Sequence, residues 1–183
     1  MTAPTHALVL GATCLALAAA SPASADDWKS HPASRALIAQ MEARQADAFA
    51  VQDPQNPERF IAALRLPGQL LVVSASHPSG DLLAARLQEG DFRNVYMDLQ
   101  ATPQQESKFF VQDLDADGIT LAGRGQAFDI VYAGRESLSC DGEWKSAKLK
   151  KDEYRERVEQ FDTRYARMLT VLAGAIEAPG QSR

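Results

Sequence analysis

Three places in this 183-residue chain hold side chains whose types and spacing could do chemistry. The first is the run Asp113, Asp115, Asp117 and Gly118, a D-x-D-x-D-G pattern. Carboxylates at alternate positions followed by a turn glycine are how a calcium loop of the EF-hand type begins, because a hard cation prefers hard oxygens. The rest of such a loop is missing. Its twelfth position, which should supply a bidentate Glu, is Arg124, and no helical pattern flanks it. The run therefore reads as an acidic hairpin turn, and no metal site is assigned.

The second place is Cys140. A thiol becomes a nucleophile when a base or a positive environment favours its thiolate. Beyond residue 25 the chain has only His31 and His77, and neither is spaced to pair with Cys140. A small buried apolar residue is the plainer reading, with a free thiol as the alternative. The third place is His77-Pro78-Ser79-Gly80, which follows an apolar run and opens a helical one. Backbone N–H groups at a helix start can bind an anion, and ligands in open α/β sheets sit at strand C-terminal ends. His77, Ser79 and Gly80 are thus the candidate ligand-binding residues. No residue is assigned a catalytic role.

Other chemistries find no footing. Phosphate-loop and dinucleotide glycine patterns are absent, as is G-x-S-x-G, and the few His and Cys residues lack zinc-ligand spacing. No cofactor is implied. A net charge of −5 argues against a nucleic-acid partner. That charge is uneven. Residues 145–167 carry eight Lys and Arg against five Asp and Glu, a local +3 that leaves −8 for the remainder.

The elements that position these residues follow a leader. Residues 7–20 are an apolar run of 14, shorter than the roughly 20 residues a membrane-spanning helix needs. With Pro22 and the small-x-small triplet Ala23-Ser24-Ala25, they read as a signal peptide cut before Asp26, although its start has no Lys or Arg. The expected product is periplasmic or secreted, in an oxidising compartment, and has no membrane span once the leader is cleaved. Losing the leader removes Cys14, so Cys140 stands alone and no internal disulfide can form. Residues 26–177 are one domain's worth of chain, and 178–183 read as a frayed, disordered tail.

Within that domain, helical spacing predicts a helix over 34–51 and a second one opened by Asn56-Pro57 and closed by Pro67-Gly68. Gln69 to Ser76, QLLVVSAS, reads as a buried strand, residues 80–89 as a short helix stopped by Gly90, and Phe92 to Leu99 as a strand. Strand, helix and strand make a parallel βαβ unit. Strands then follow at Lys108–Gln112, Ile119–Ala122, Phe128–Tyr132 and Ser137–Cys140, with hairpin signals at Asp117-Gly118 and Asp141-Gly142. From Tyr154 to Ile176 one apolar face persists, which predicts a long helix over 151–177.

The stretch LLVVSASHPSGDLLAARL resembles the first strand, active-site turn and helix of thioredoxin, over roughly residues 69–99. The Cys-x-x-Cys of that family is replaced by His77, Pro78, Ser79 and Gly80, so the resemblance implies topology and no redox activity. The expected fold is a single α+β domain: a parallel βαβ unit, an antiparallel β-meander and a long C-terminal helix packed on the sheet. A degenerate thioredoxin-like fold is the alternative. The expected function is that of an exported soluble protein with a non-catalytic binding or accessory role in the cell envelope. Its partner would be a protein or a small anionic ligand. The alternative is a small enzyme or ligand-binding protein that uses the His77–Gly80 turn.

Overall fold

The computed structural model describes residues 32–90, 108–123, 125–134, 136–145 and 147–177. Helix α1, Pro32–Ala43, begins on a proline, whose missing N–H costs nothing in a first helical turn. The chain then pleats. Strands β1 (Ala48–Asp53), β2 (Asn56–Leu66) and β3 (Gln69–Ser76) are joined by the two-residue turns Pro54-Gln55 and Pro67-Gly68. Gly68 has φ +71, a conformation that suits glycine as the second central residue after proline. Helix α2 (Gly80–Gln88) follows, then β4 (Phe109–Leu114), β5 (Ile130–Ala133), β6 (Glu136–Ser139) and helix α3 (Lys151–Glu177). The strands form one six-stranded sheet in the order β1-β2-β3-β4-β5-β6, and every pairing is antiparallel.

The helices cover both faces. On one face α3 crosses the strands from β6 towards β1. The Tyr154 hydroxyl donates to the Ser139 carbonyl, Arg157 pairs with Glu136, Phe161 meets the Phe109 ring edge-on, and Arg167 pairs with Asp53. A helix of 27 residues is about 40 Å long, enough to span the sheet. Helix α1 lies beside it, and Leu37 and Met41 share a core with Ile61, Leu70, Val72, Val111, Val131, Leu138 and the apolar stripe of α3. On the other face α2 packs Leu83 and Leu87 over Ala62, Leu64, Leu71, Val73 and Phe110.

This layering explains where the sequence expectations need correction. The expected helix over 34–51 ends at Ala43, and its second half is strand β1. The expected helix after Asn56-Pro57 is strand β2. Successive β2 residues point to opposite faces, and both faces are covered, so Ile61 and Ala63 enter one core while Ala62 and Leu64 enter the other. A strand buried on both faces carries no alternation, and its apolar run is compatible with either period. The parallel βαβ unit is also corrected. Both edges of β3 are taken by antiparallel neighbours, β2 and β4. The expected strand Phe92–Leu99 lies outside the described residues. With the parallel unit goes the thioredoxin-like alternative, since the described strands run as a simple meander. Residues 119–122 form no strand, and Asp141-Gly142 closes no hairpin but leads towards α3. The long helix over 151–177 and the short helix closed by Gly90, at φ +77, are as expected. No helix among the described residues is long and apolar enough to cross a membrane.

Candidate functional site

The fold gathers three carboxylates. Asp113, near the end of β4, points to the face covered by α1 and α3, as Phe109 and Val111 do, and is fully buried. Asp117 stands four residues on, and Asp129 precedes β5. One carboxylate oxygen from each lies within 4.8 Å of the others. Positive φ at Asp115 and Ala116 wraps the turn around Asp113, whose Oδ1 accepts the Asp117 N–H at 3.2 Å and the Gly118 N–H at 3.3 Å. The Tyr165 hydroxyl donates to Asp113 Oδ2 at 2.8 Å and lies 3.5 Å from the Ser34 hydroxyl, so α3 and α1 both reach this carboxylate. Asp129 accepts the N–H groups of Leu114 and Thr120, each at 2.8 Å. These acids supply the partners a ladder would otherwise provide, and they pin the irregular segment from 115 to 120.

The electrostatics follow from burial. Loss of water raises the pKa of Asp113, Asp117 and Asp129, and pushes Asp129 up to about 7. Backbone N–H groups oppose this at Asp113 and Asp129, and Arg35 opposes it at Asp117. Carboxylates this close titrate as a group, and the same oxygens have the chemistry to take up a proton or a hard cation. The D-x-D-x-D-G run is thus divided. Asp113 and Asp117 join the cluster, while Asp115 stays exposed.

Cys140 lies at the other end of β5 and β6 from their connecting turn, in the larger core. Its N–H donates to the Asp129 carbonyl and its carbonyl accepts the Ala122 N–H. Burial raises its thiol pKa, and the charges of Asp129, Asp141 and Asp162 push the same way. These are the opposite of the conditions that make a thiolate nucleophile.

His77 is at the far end of the sheet from Cys140. Register places Ser74, Phe109, Ala133 and Glu136 in one row across β3 to β6, whereas Ser139 falls in the row of Gln112 and Ile130. The His77–Gly80 turn is closed on itself. His77 Nδ1 lies 2.7 Å from the Ser79 carbonyl oxygen and 3.3 Å from the Ser79 nitrogen. Ser79 is the N-cap of α2, its hydroxyl accepting the Leu82 N–H at 3.5 Å. A Cβ on Gly80 would come within 2.9 Å of the Phe60 ring, so glycine lets α2 sit close to β2.

Two buried cations share this end. Arg59 is paired in register with Ser76 and donates to the Ser74 hydroxyl at 2.9 Å and to the Ser74 carbonyl at 3.2 Å. Lys108 extends β4 by one residue, its carbonyl accepting the Gly134 N–H. Strand alternation puts Lys108 on the α2 face with Phe110. It is 4% exposed, its Nζ has no hydrogen-bond partner among the described residues, and burial lowers its pKa.

No family model, no curated protein and no solved structure matches the chain. Its site must be read from its own residues. Sequence reasoning missed Asp129, Tyr165, Arg59 and Lys108. Asp129 acts on backbone N–H groups, which leave no side-chain signature. Tyr165 is one more residue in the apolar stripe of α3 until β4 brings Asp113 beneath it. A signal existed for Lys108: a charged residue directly before Phe109-Phe110-Val111, three positions that are all buried.

Proposed function

We propose that the chain is an exported, non-catalytic binding protein of the cell envelope that takes a small anionic ligand at the His77 end of the sheet. The observation that carries this reading is Lys108. A buried ammonium without an acceptor is costly, and buried charges are ordinarily paired. An anion from solution would supply the missing acceptor. The N-terminus of α2 lies at this end on the same face of the sheet as Lys108 and supports the same polarity, since the helix dipole there favours negative charge. Arg59 lies on the opposite face, held by Ser74. The wide separation of His77 from Cys140, and the burial of the thiol among acids, support a binding role over nucleophilic catalysis. The first 25 residues support export.

The test expresses the chain with its own leader in a bacterial host, checks that the periplasmic product begins at Asp26, and titrates it with inorganic phosphate, acetate and citrate. Each probe is followed by thermal shift and calorimetry. At least one should stabilise the protein with a saturable profile, by about 2.7 kcal/mol at a hundred times its dissociation constant. Lys108→Met should abolish that stabilisation. The same variant without ligand should unfold no earlier than wild type, because it removes an uncompensated buried charge. No response to any probe at tens of millimolar, or an equal response from the variant, overturns the proposal.

A further inference from the structure

We propose that the outer edge of β1, which no described strand covers, pairs with the same edge of a second copy of this chain, across a two-fold axis at Ala50. The inference is independent of the anion site, and it begins from hydrogen-bond direction. The Arg65 N–H donates to the Asp47 carbonyl at 2.7 Å, and Ala48 is registered with Leu64. Bonded and non-bonded pairs alternate along an antiparallel ladder. Phe49 and Val51 therefore exchange bonds with Ala63 and Ile61, and the N–H and C=O groups of Ala48, Ala50 and Gln52 point away from β2. No backbone partner meets those six groups among the described residues.

Edge strands in natural proteins are ordinarily blunted by lysine, proline or an inward-facing charge. From Ala48 to Gln52 this edge has none of them. Its one irregularity, a register shift, falls at the far end between Gln52 and Asp53. The strand also suits itself. With Ala50 opposite Ala50 of the partner copy, Ala48 faces Gln52, and all the outward groups pair. Phe49 then faces Val51 in a non-bonded position, where side chains come closest and an aromatic–β-branched pair is favourable. Both side chains are half-buried on the face covered by α1 and α3, and each would gain cover.

The ends are matched in charge. This register sets Asp47 opposite Asp53 of the other copy, and each acid already has its own arginine. Asp47 pairs with Arg65 at 2.5 Å and Asp53 with Arg167 at 2.8 Å. No unpaired charge is driven into the seam. An unrelated extended peptide could use the same backbone groups, but only a second copy brings this symmetry of bonds, side chains and ion pairs. Two short strands bury a modest area, and interfaces below about 1,200 Å² belong to weak complexes. The expected assembly is a concentration-dependent dimer.

Sedimentation velocity of the full chain between micromolar and millimolar concentration tests this, alongside amide exchange by NMR. Wild type should move from monomer to dimer, and the amides of Ala48, Ala50 and Gln52 should become protected in step. Ala50→Pro removes an N–H that β2 does not use, a placement edge strands tolerate, and should weaken dimerisation at least tenfold. Gln52→Lys, at an exposed side chain, should weaken it similarly should the proline variant fail to fold. A monomer at all concentrations, or dimerisation without protection of those three amides, overturns the proposal. A dimer that survives both substitutions overturns it equally.

Discussion

Raising the pH from 4 to 8 should destabilise this protein, and the Asp113–Asp117–Asp129 cluster sets the size of the effect. Asp129 is 2% exposed and its pKa lies near 7 in the fold, against 3.8 when free. Below the free value both states hold the proton and the group is neutral to stability. Between the two values the unfolded chain releases its proton first, so stability falls. Above the folded value the loss is complete. A gap of roughly three units corresponds to about 4 kcal/mol, a large share of a domain's usual 5–15. Asp113 and Asp117 are raised in the same direction and deepen the decline. Asp53 is lowered, so its contribution is present above the free carboxylate value and fades only in more acid solution. The stability maximum should therefore sit near pH 4–5. Asp129→Asn removes the titration. Its amide nitrogen cannot accept the second of the two N–H groups now held, at a cost of about 1–3 kcal/mol. Urea unfolding in EDTA at pH 4.5, 6 and 8 should show the variant below wild type in acid and level with or above it at pH 8. A wild-type profile that is flat or rising between pH 5 and 8, or a variant running parallel to wild type, refutes the reasoning.

Two further outcomes follow from single contacts. Arg167→Met leaves Asp53, 2% exposed, without its ion-pair partner and should lower stability by about 3 kcal/mol at pH 7, with the deficit shrinking once urea titrations are run below pH 4. Cys140 should resist thiol reagents under native conditions and react only as fast as the protein opens, so its labelling rate in dilute urea should follow the unfolding equilibrium. Rapid labelling of the native chain would contradict its burial.

The legibility of the chain depended on how each element is buried. Helix α3 could be read because one of its faces is apolar and the other solvated, so Tyr154, Val158, Phe161, Tyr165 and Leu172 repeat with the helical period. Strand β2 could not, because α2 lies over one side and α1 with α3 over the other, which erases the polar alternate that marks a strand. Strand β3 is buried in the same way yet was legible, since β-branched Val72 and Val73 lie between Pro-Gly and His-Pro punctuation. In β2, Ala62-Ala63 favours helix, and the proline before Glu58 mimics a helix start.

The candidate site divides along the same line. Asp113 and Asp117 were visible because both belong to one short motif. Asp129 joins them only because β4 and β5 are adjacent, and it bonds the N–H of Leu114 on one side and of Thr120 on the other. That placement turns a local turn motif into a tertiary one. In a simple acidic hairpin the carboxylates would be solvated and close to their free pKa values. Here the long helix seals them with Tyr165, and α1 adds Ser34. The same helix that makes the fold stable thereby makes the cluster costly to ionise. A proton on the cluster removes that cost. The contact through which α3 meets the cluster is the Tyr165 hydroxyl, two residues before Arg167 and its partner Asp53.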